Sequence, residues 1–193
     1  MRLGILGGTF DPVHLGHLIL AQYALEQLRL DRVVFLPAGS PWRKATREVA
    51  PAEHRLAMTR LAIEDNPAFH LDVSEIERVG PTYTAETLET LRATLSGEAQ
   101  LFFLLGADAL ADMPHWHEPE RIVAAATLAV APRAGTPFDL PPWAVGRSVE
   151  VAMPYVGISS TEIRDRVRAG LSIRYLVPAT VAAYIAAQGL YRV

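Results

Sequence analysis

A chain of 193 residues, half of them hydrophobic, is long enough to bury one continuous core and cramped for two independent ones. Its formal net charge of -3 excludes a broad basic field of the kind that grips nucleic acid, so positive charge has to be placed locally. The lack of cysteine excludes disulfides, thiolate nucleophiles, thiolate zinc sites and iron–sulfur clusters, a composition that fits the cytoplasm.

Along the chain, the first apolar run meets Gly7-Gly8 too early to be a signal peptide. No later stretch reaches the ~20 apolar residues of a membrane span, so a soluble protein is expected. Short apolar runs that read as buried strands fall at residues 3–6, 32–36, 69–73, 101–105 and 127–131. Between the first two, Leu18, Ala21, Leu25 and Leu28 recur at helical spacing, with Gln22, Glu26, Gln27 and Arg29 on the other side. That pattern predicts a helix covering one face of a sheet. Further helices are expected at about 51–66, 84–95, 119–125, 160–169 and 178–188. Four prolines and one glycine within residues 132–143 predict a surface connection. Alternating strands and helices predict an α/β fold, a single Rossmann-like doubly wound parallel sheet with helices on both faces, formed by residues 1–193 as one domain. In that architecture ligands lie beyond the carboxyl ends of the strands, where the loops after Leu6, Leu36 and Leu105 meet.

The first run ends in Gly7-Gly8-Thr9-Phe10-Asp11-Pro12-Val13-His14-Leu15-Gly16-His17, just before the first helix. Two glycines let the backbone turn sharply and let a phosphate approach main-chain N–H groups, and the helix start supplies partial positive charge. His14 and His17, three apart around that start, can point toward one ligand. His115 and His117 bring zinc into consideration, but the first pair lacks the accompanying glutamate of a zincin helix. Near the far end, Ile158-Ser159-Ser160-Thr161-Glu162-Ile163-Arg164 predicts a second helix start. There Ser160, Thr161 and free N–H groups can hold a polyphosphate and Arg164 adds charge. The same residues also read as a helix cap, Ser159 with Glu162. Seventeen of the eighteen basic residues are arginine, which singles out Lys44.

His14-Leu15-Gly16-His17 matches the His-x-Gly-His signature of the nucleotidyltransferase superfamily, and residues 158–164 resemble its second signature, Ile-Ser-Ser-Thr-x-Ile-Arg. Within that superfamily the chain resembles the nicotinate-mononucleotide adenylyltransferase family over nearly its whole length. Ser40-Pro41-Trp42-Arg43-Lys44 resembles the family's loop ending in Pro-Pro-His-Lys, with Trp42 and Arg43 departing from the usual residues, and His54-Arg55 resembles its following His-Arg pair. Arg78-Val79-Gly80-Pro81-Thr82-Tyr83-Thr84 is similar to Arg-x-Gly-x-Ser-Tyr-Thr. Gly106-Ala107-Asp108 with Trp116 is similar to the Gly-Ala-Asp and tryptophan element, and Arg174-Tyr175-Leu176-Val177-Pro178 matches the Arg-Tyr-Leu-Val-Pro run. Pantetheine-phosphate adenylyltransferases share the chemistry, but they usually carry threonine where His14 stands and are shorter.

The resemblance implies transfer of the AMP part of ATP to nicotinate mononucleotide, giving nicotinate adenine dinucleotide and pyrophosphate in NAD synthesis. It implies catalytic roles for His14, His17 and Arg164. It places Gly7, Gly8, Thr9, Phe10, Gly106, Asp108, Ser159, Ser160 and Thr161 on ATP, and Lys44, Thr82, Tyr83, Thr84, Trp116 and His117 on the mononucleotide. Trp116 would stack on the pyridine ring, while Thr84 and main chain near His117 would hold the ring carboxylate. Mg²⁺ is expected to arrive with ATP, with no evident protein ligand. No nucleic-acid or membrane partner is expected, and the sequence carries no sign of an oligomeric state.

Overall fold

The computed structural model describes residues 1–39, 49–95, 98–132 and 140–192. Among them, six strands run β1 (Arg2–Gly8), β2 (Arg32–Pro37), β3 (Phe69–Leu71), β4 (Gln100–Gly106), β5 (Thr127–Ala131) and β6 (Ser148–Glu150). They form one sheet in the order β3-β2-β1-β4-β5-β6, every neighbouring pair parallel. The helices are α1 (Leu15–Gln27), α2 (Ala52–Ile63), α3 (Ser74–Glu77), α4 (Thr84–Thr94), α5 (Ala107–Asp112), α6 (Pro119–Ala125), α7 (Ser160–Arg168) and α8 (Ala179–Ala187).

Period-two alternation along the strands builds a core on each face. Phe102 and Leu104 of β4 join Leu20, Ala21 and Ala24 of α1, Met58 of α2, Ile163 of α7 and Ile185 of α8. Leu101, Phe103 and Leu105 point the other way, onto Leu88 of α4, Leu110 of α5 and Ile122 of α6. The expected doubly wound α/β sheet is therefore present. The chain winds from β1 outward to β3, then returns past β1 to β4, so the order reverses between β1 and β4. The crevice beyond their carboxyl ends is where such sheets bind ligands.

Several boundaries differ from the sequence reading for local reasons. The apolar run 69–73 stops as a strand at Leu71, because the Asp72 carboxylate accepts the Ser74 N–H at 2.7 Å and turns the chain into α3, a helix too short to show a period. Strand β6 has three residues at the sheet edge, and its Ser-Val-Glu carries no apolar run. On α1 the buried stripe is Leu20, Ala21 and Ala24, with Leu18 and Leu25 partly buried, since two alanines let the helix lie close on the sheet. The proline-rich stretch ends in a short 3₁₀ turn, Pro142–Ala144, while 133–139 lie outside the described residues. No helix among the described residues is long and apolar enough to cross a membrane.

Candidate active site

At the end of β1 the glycines act differently from the sequence reading. Gly7 and Gly8 are part of the strand, and the left-handed residue is Phe10, with φ 49°. A Cβ on Gly8 would lie 3.0 Å from the Phe10 ring, and one on Gly7 would lie 3.4 Å from the Phe103 ring. The glycines thus make room for aromatic rings. Left-handed backbone at a non-glycine costs about 1–2 kcal/mol, and burying a phenylalanine ring contributes about 1.5–3 kcal/mol. Burial therefore holds Phe10 in place, against Phe35 at 5.9 Å and edge-on to His17 at 5.0 Å between ring centroids. The Asp11–Pro12 peptide that follows is cis.

Two histidines then meet at the helix start. His14 is the N-cap residue of α1, and the His14 and His17 rings stack with centroids 3.7 Å apart and planes 26° from parallel. His17 Nδ1 accepts the main-chain N–H of His14 at 3.2 Å, which places the proton of a neutral His17 ring on Nε2. His14 is buried, and desolvation lowers its pKa to about 4, so it is a neutral imidazole near pH 7. Gly16 sits against it, and a Cβ there would lie 3.1 Å from both Cε1 and Nδ1 of His14. The glycine between the histidines is a packing requirement of the ring pair.

The second motif folds onto the same turn. Ser159 caps α7 by accepting the Glu162 N–H at 3.1 Å, one half of the expected cap. The Ser160 hydroxyl donates to the Pro12 carbonyl at 2.9 Å, and Arg164 Nη1 donates to the Asp11 carbonyl at 2.7 Å. Arg164 Nη2 also reaches the Thr161 hydroxyl at 3.3 Å. The Ser160 proton is thereby committed to main chain, leaving the N–H groups heading α7 as its offer to an anion. Among the described residues, His14 Nδ1 and Arg164 Nε are the buried side-chain nitrogens or oxygens without a hydrogen-bond partner.

Residues that the sequence reading did not single out hold this arrangement together. Asp11 is buried, and its Oδ1 accepts the Tyr191 hydroxyl at 2.7 Å and the Ala50 N–H at 3.3 Å. Arg55, the second residue of the His-Arg pair, is 1% exposed, and among the described residues its hydrogen-bond partners are carbonyls. It donates to those of Ala50 at 3.1 Å, Thr9 at 2.8 Å and Gly39 at 3.0 Å. Burial lowers its pKa below the usual guanidinium value, and the nearby Asp11 charge opposes that. Arg55 therefore ties the turn after β1 to chain on both sides of residues 40–48. A buried arginine eleven residues past a lysine has no local signature, and Tyr191 has still less.

The residues matched to the pyridine ring form a second group, past β4. Gly106 caps α5, Asp108 lies in its first turn, and Trp116 follows the 3₁₀ turn that extends it. The Trp116 indole N–H donates to Asp112 at 3.0 Å, and its ring meets Phe103 edge-on at 6.2 Å. Phe103 also flanks Gly7, so one ring links the end of β1 to Trp116. Tyr83, at the N-cap of α4, lies against His117 with centroids 4.1 Å apart, and Thr84 opens the helix. Thr82 is buried beside Glu75, whose carboxylate also accepts the Thr87 hydroxyl at 2.8 Å. Burial raises the Glu75 pKa above the usual carboxylate value, with those hydroxyls opposing. Lys44 lies outside the described residues.

Known proteins share this chain's family and fold. A family profile described as cytidylyltransferase-like matches residues 5–166. A protein of Thermomicrobium roseum named "Probable nicotinate-nucleotide adenylyltransferase" is 49% identical over 197 residues, covering 99% of this chain and 92% of that one. One of the same name from Thermus thermophilus is 48% identical and covers both chains completely. Among solved structures, Plasmodium falciparum nicotinic acid mononucleotide adenylyltransferase complexed with NaAD superposes with a TM-score of 0.80 at 19% identity, over 98% of this chain and 97% of that one. At that identity the likeness speaks for the fold.

Proposed function

Because the chain belongs to the nicotinate-nucleotide adenylyltransferase family of cytidylyltransferase-like proteins, we propose that it transfers AMP from ATP to nicotinate mononucleotide, forming nicotinate adenine dinucleotide and pyrophosphate in NAD synthesis. Residues 1–193 act as a single nucleotidyltransferase domain in the cytoplasm. The observation that carries the reading is the joining of two distant motifs on one turn. Ser160 bonds Pro12 and Arg164 bonds Asp11, across more than 140 residues of sequence, so the histidine pair and the start of α7 share one site.

ATP lies beyond the end of β1, its phosphates near Gly7, Gly8, Thr9 and Phe10 and at the start of α7, with Gly106 and Asp108 on its sugar side. An oxygen of the mononucleotide phosphate attacks the α-phosphorus in line as the bond to the β-phosphate oxygen breaks, and pyrophosphate leaves. A phosphate anion needs no base to become a nucleophile, so the protein's task is positioning and charge stabilisation. His17 donates from Nε2 to the α-phosphate as charge builds, and neutral His14 holds the His17 ring and adds a second imidazole at the phosphates. Arg164 and the N–H groups of Ser160 and Thr161 hold the leaving pyrophosphate. Trp116 stacks on the pyridine ring beside Tyr83; Thr84 and main chain near His117 receive its carboxylate, and Thr82, its hydroxyl spent on Glu75, lines the same mononucleotide site. Lys44 serves the mononucleotide phosphate.

Among the described residues no three His, Asp or Glu side chains gather to hold a cation. Magnesium would enter with the substrate as MgATP, with phosphate oxygens and water as its ligands, and would supply charge neutralisation at the polyphosphate. The reading is tested with ATP labelled at the α-phosphate. The label should pass to a dinucleotide only when nicotinate mononucleotide is present, and no exchange of pyrophosphate into ATP should occur without it. Label retained on the protein, or exchange without acceptor, would contradict direct transfer.

A further inference from the structure

The Asp11 carboxylate has two oxygens and an unequal set of partners. Oδ1 takes the Tyr191 hydroxyl at 2.7 Å, whereas Oδ2 lies 3.7 Å from Arg164 Nη1, a loose ion pair. Arg164 Nε is buried with no partner at all. A buried carboxylate beside a guanidinium with a spare donor ordinarily closes into the short, two-bonded fork such pairs prefer. Here the tyrosine hydroxyl satisfies the carboxylate from the other side, and the guanidinium stays on main chain and on Thr161.

We propose that Tyr191 is a positioning residue for adenylyl transfer, its hydroxyl occupying the Asp11 carboxylate so that Arg164 is kept from collapsing onto it and stays available to the polyphosphate. Burial and the adjacent Asp11 charge raise the Tyr191 pKa, so the hydroxyl is a donor throughout the neutral range. Its backbone is left-handed, φ 63°. Asp11, Arg55, Arg164 and Tyr191 together carry one surplus positive charge below the turn after β1, and Tyr191 keeps that surplus on Arg164 rather than cancelling it within the protein.

The proposal rests on the adenylyl-transfer reading, and one arm of its test does not. Tyr191→Phe removes only the hydroxyl. It should lower kcat/KM for ATP at least about tenfold, leave KM for the mononucleotide within about twofold, and weaken binding of inorganic pyrophosphate in calorimetry by a similar factor to the ATP loss. In the Arg164→Ala background the same change should have less than a twofold effect on either readout. Tyr191→Phe/Asp11→Asn removes the buried charge together with its donor, a change that folds more readily than an unpaired carboxylate. It should regain at least tenfold of what Tyr191→Phe alone loses, or, where that single variant does not fold, bind pyrophosphate more tightly than Arg164→Ala. Unchanged pyrophosphate affinity in Tyr191→Phe, an undiminished effect in the Arg164→Ala background, or no recovery in the double variant would overturn the proposal. A wild-type protein that binds pyrophosphate but makes no dinucleotide would instead count against the proposed reaction.

Discussion

Gly16→Ala places one methyl group where the His14 ring already sits. The new Cβ would lie 3.1 Å from His14 Cε1 and Nδ1 and 3.5 Å from Val156, and the same ring stacks on His17 with centroids 3.7 Å apart. Relief of the contact shifts the His14 ring by a few tenths of an ångström, and the shift is shared with the His17 ring stacked on it. Overpacking of this kind costs about 1–3 kcal/mol, while alanine in place of a helical glycine returns about 1 kcal/mol. The net loss is at most about 2 kcal/mol, a fall in Tm of no more than about 8 °C for a chain of this size. Turnover is more sensitive, because a misplacement of ~1 Å can cost about 10²-fold, so a few tenths of an ångström should cost roughly three- to tenfold. Pyrophosphate release at saturating ATP and nicotinate mononucleotide, alongside a thermal melt, should show a folded protein with kcat down by about that factor. Wild-type kcat in Gly16→Ala would refute the claim that the stacked pair sets the phosphate geometry.

His17→Ala should fold and lose on the order of 10²- to 10³-fold in kcat, the scale of one charge-stabilising donor; a loss under about threefold removes His17 from the mechanism. His14 titrates near 6.5 when unfolded and about 4 when folded, so the unfolded state binds the proton first and stability falls as pH drops from about 6.5 toward 4. That loss is on the order of 3 kcal/mol, and His14→Gln should flatten this part of the stability–pH curve in urea titrations. An unaltered slope would place the titration elsewhere. Lysine-directed modification, with Lys44 as the one lysine side chain, should inactivate the protein, and bound mononucleotide should protect it. Full activity after complete modification, with the N-terminal amine accounted for, makes Lys44 a solvated residue.

Elements with a strong local signal were legible from the amino-acid order. The apolar runs of β1, β2, β4 and β5, the histidine pair with its helix start, and the cap at Ser159 all depend on residues within a few positions of one another. Strand β6 and helix α3 were not legible, because a three-residue edge strand and a single helical turn leave no periodicity. The turn expected at Gly7 and Gly8 is strand instead, for a related reason. A turn signal is local, but the rings of Phe10 and Phe103 that need the space come from packing. The Asp11 hub was hidden altogether. Asp11 stands inside the most legible motif, yet its partner Tyr191 is 180 residues away and is joined to it only by the folded sheet. Arg55 likewise spends its donors on carbonyls, which carry no side-chain identity to read.

The measurement that bears most directly on the proposed reaction offers nicotinate and nicotinamide mononucleotides in parallel at saturating ATP and magnesium, with dinucleotide and pyrophosphate followed as initial rates. A site whose N–H and hydroxyl donors meet a ring carboxylate gains charge-assisted bonds of roughly 1.5–3 kcal/mol that an amide forgoes. Dinucleotide should therefore form from both ATP and the acid with one pyrophosphate released per turnover, and kcat/KM for the acid should exceed that for the amide at least about tenfold. Equal values would contradict nicotinate specificity, and the absence of dinucleotide from either acceptor would contradict adenylyl transfer itself.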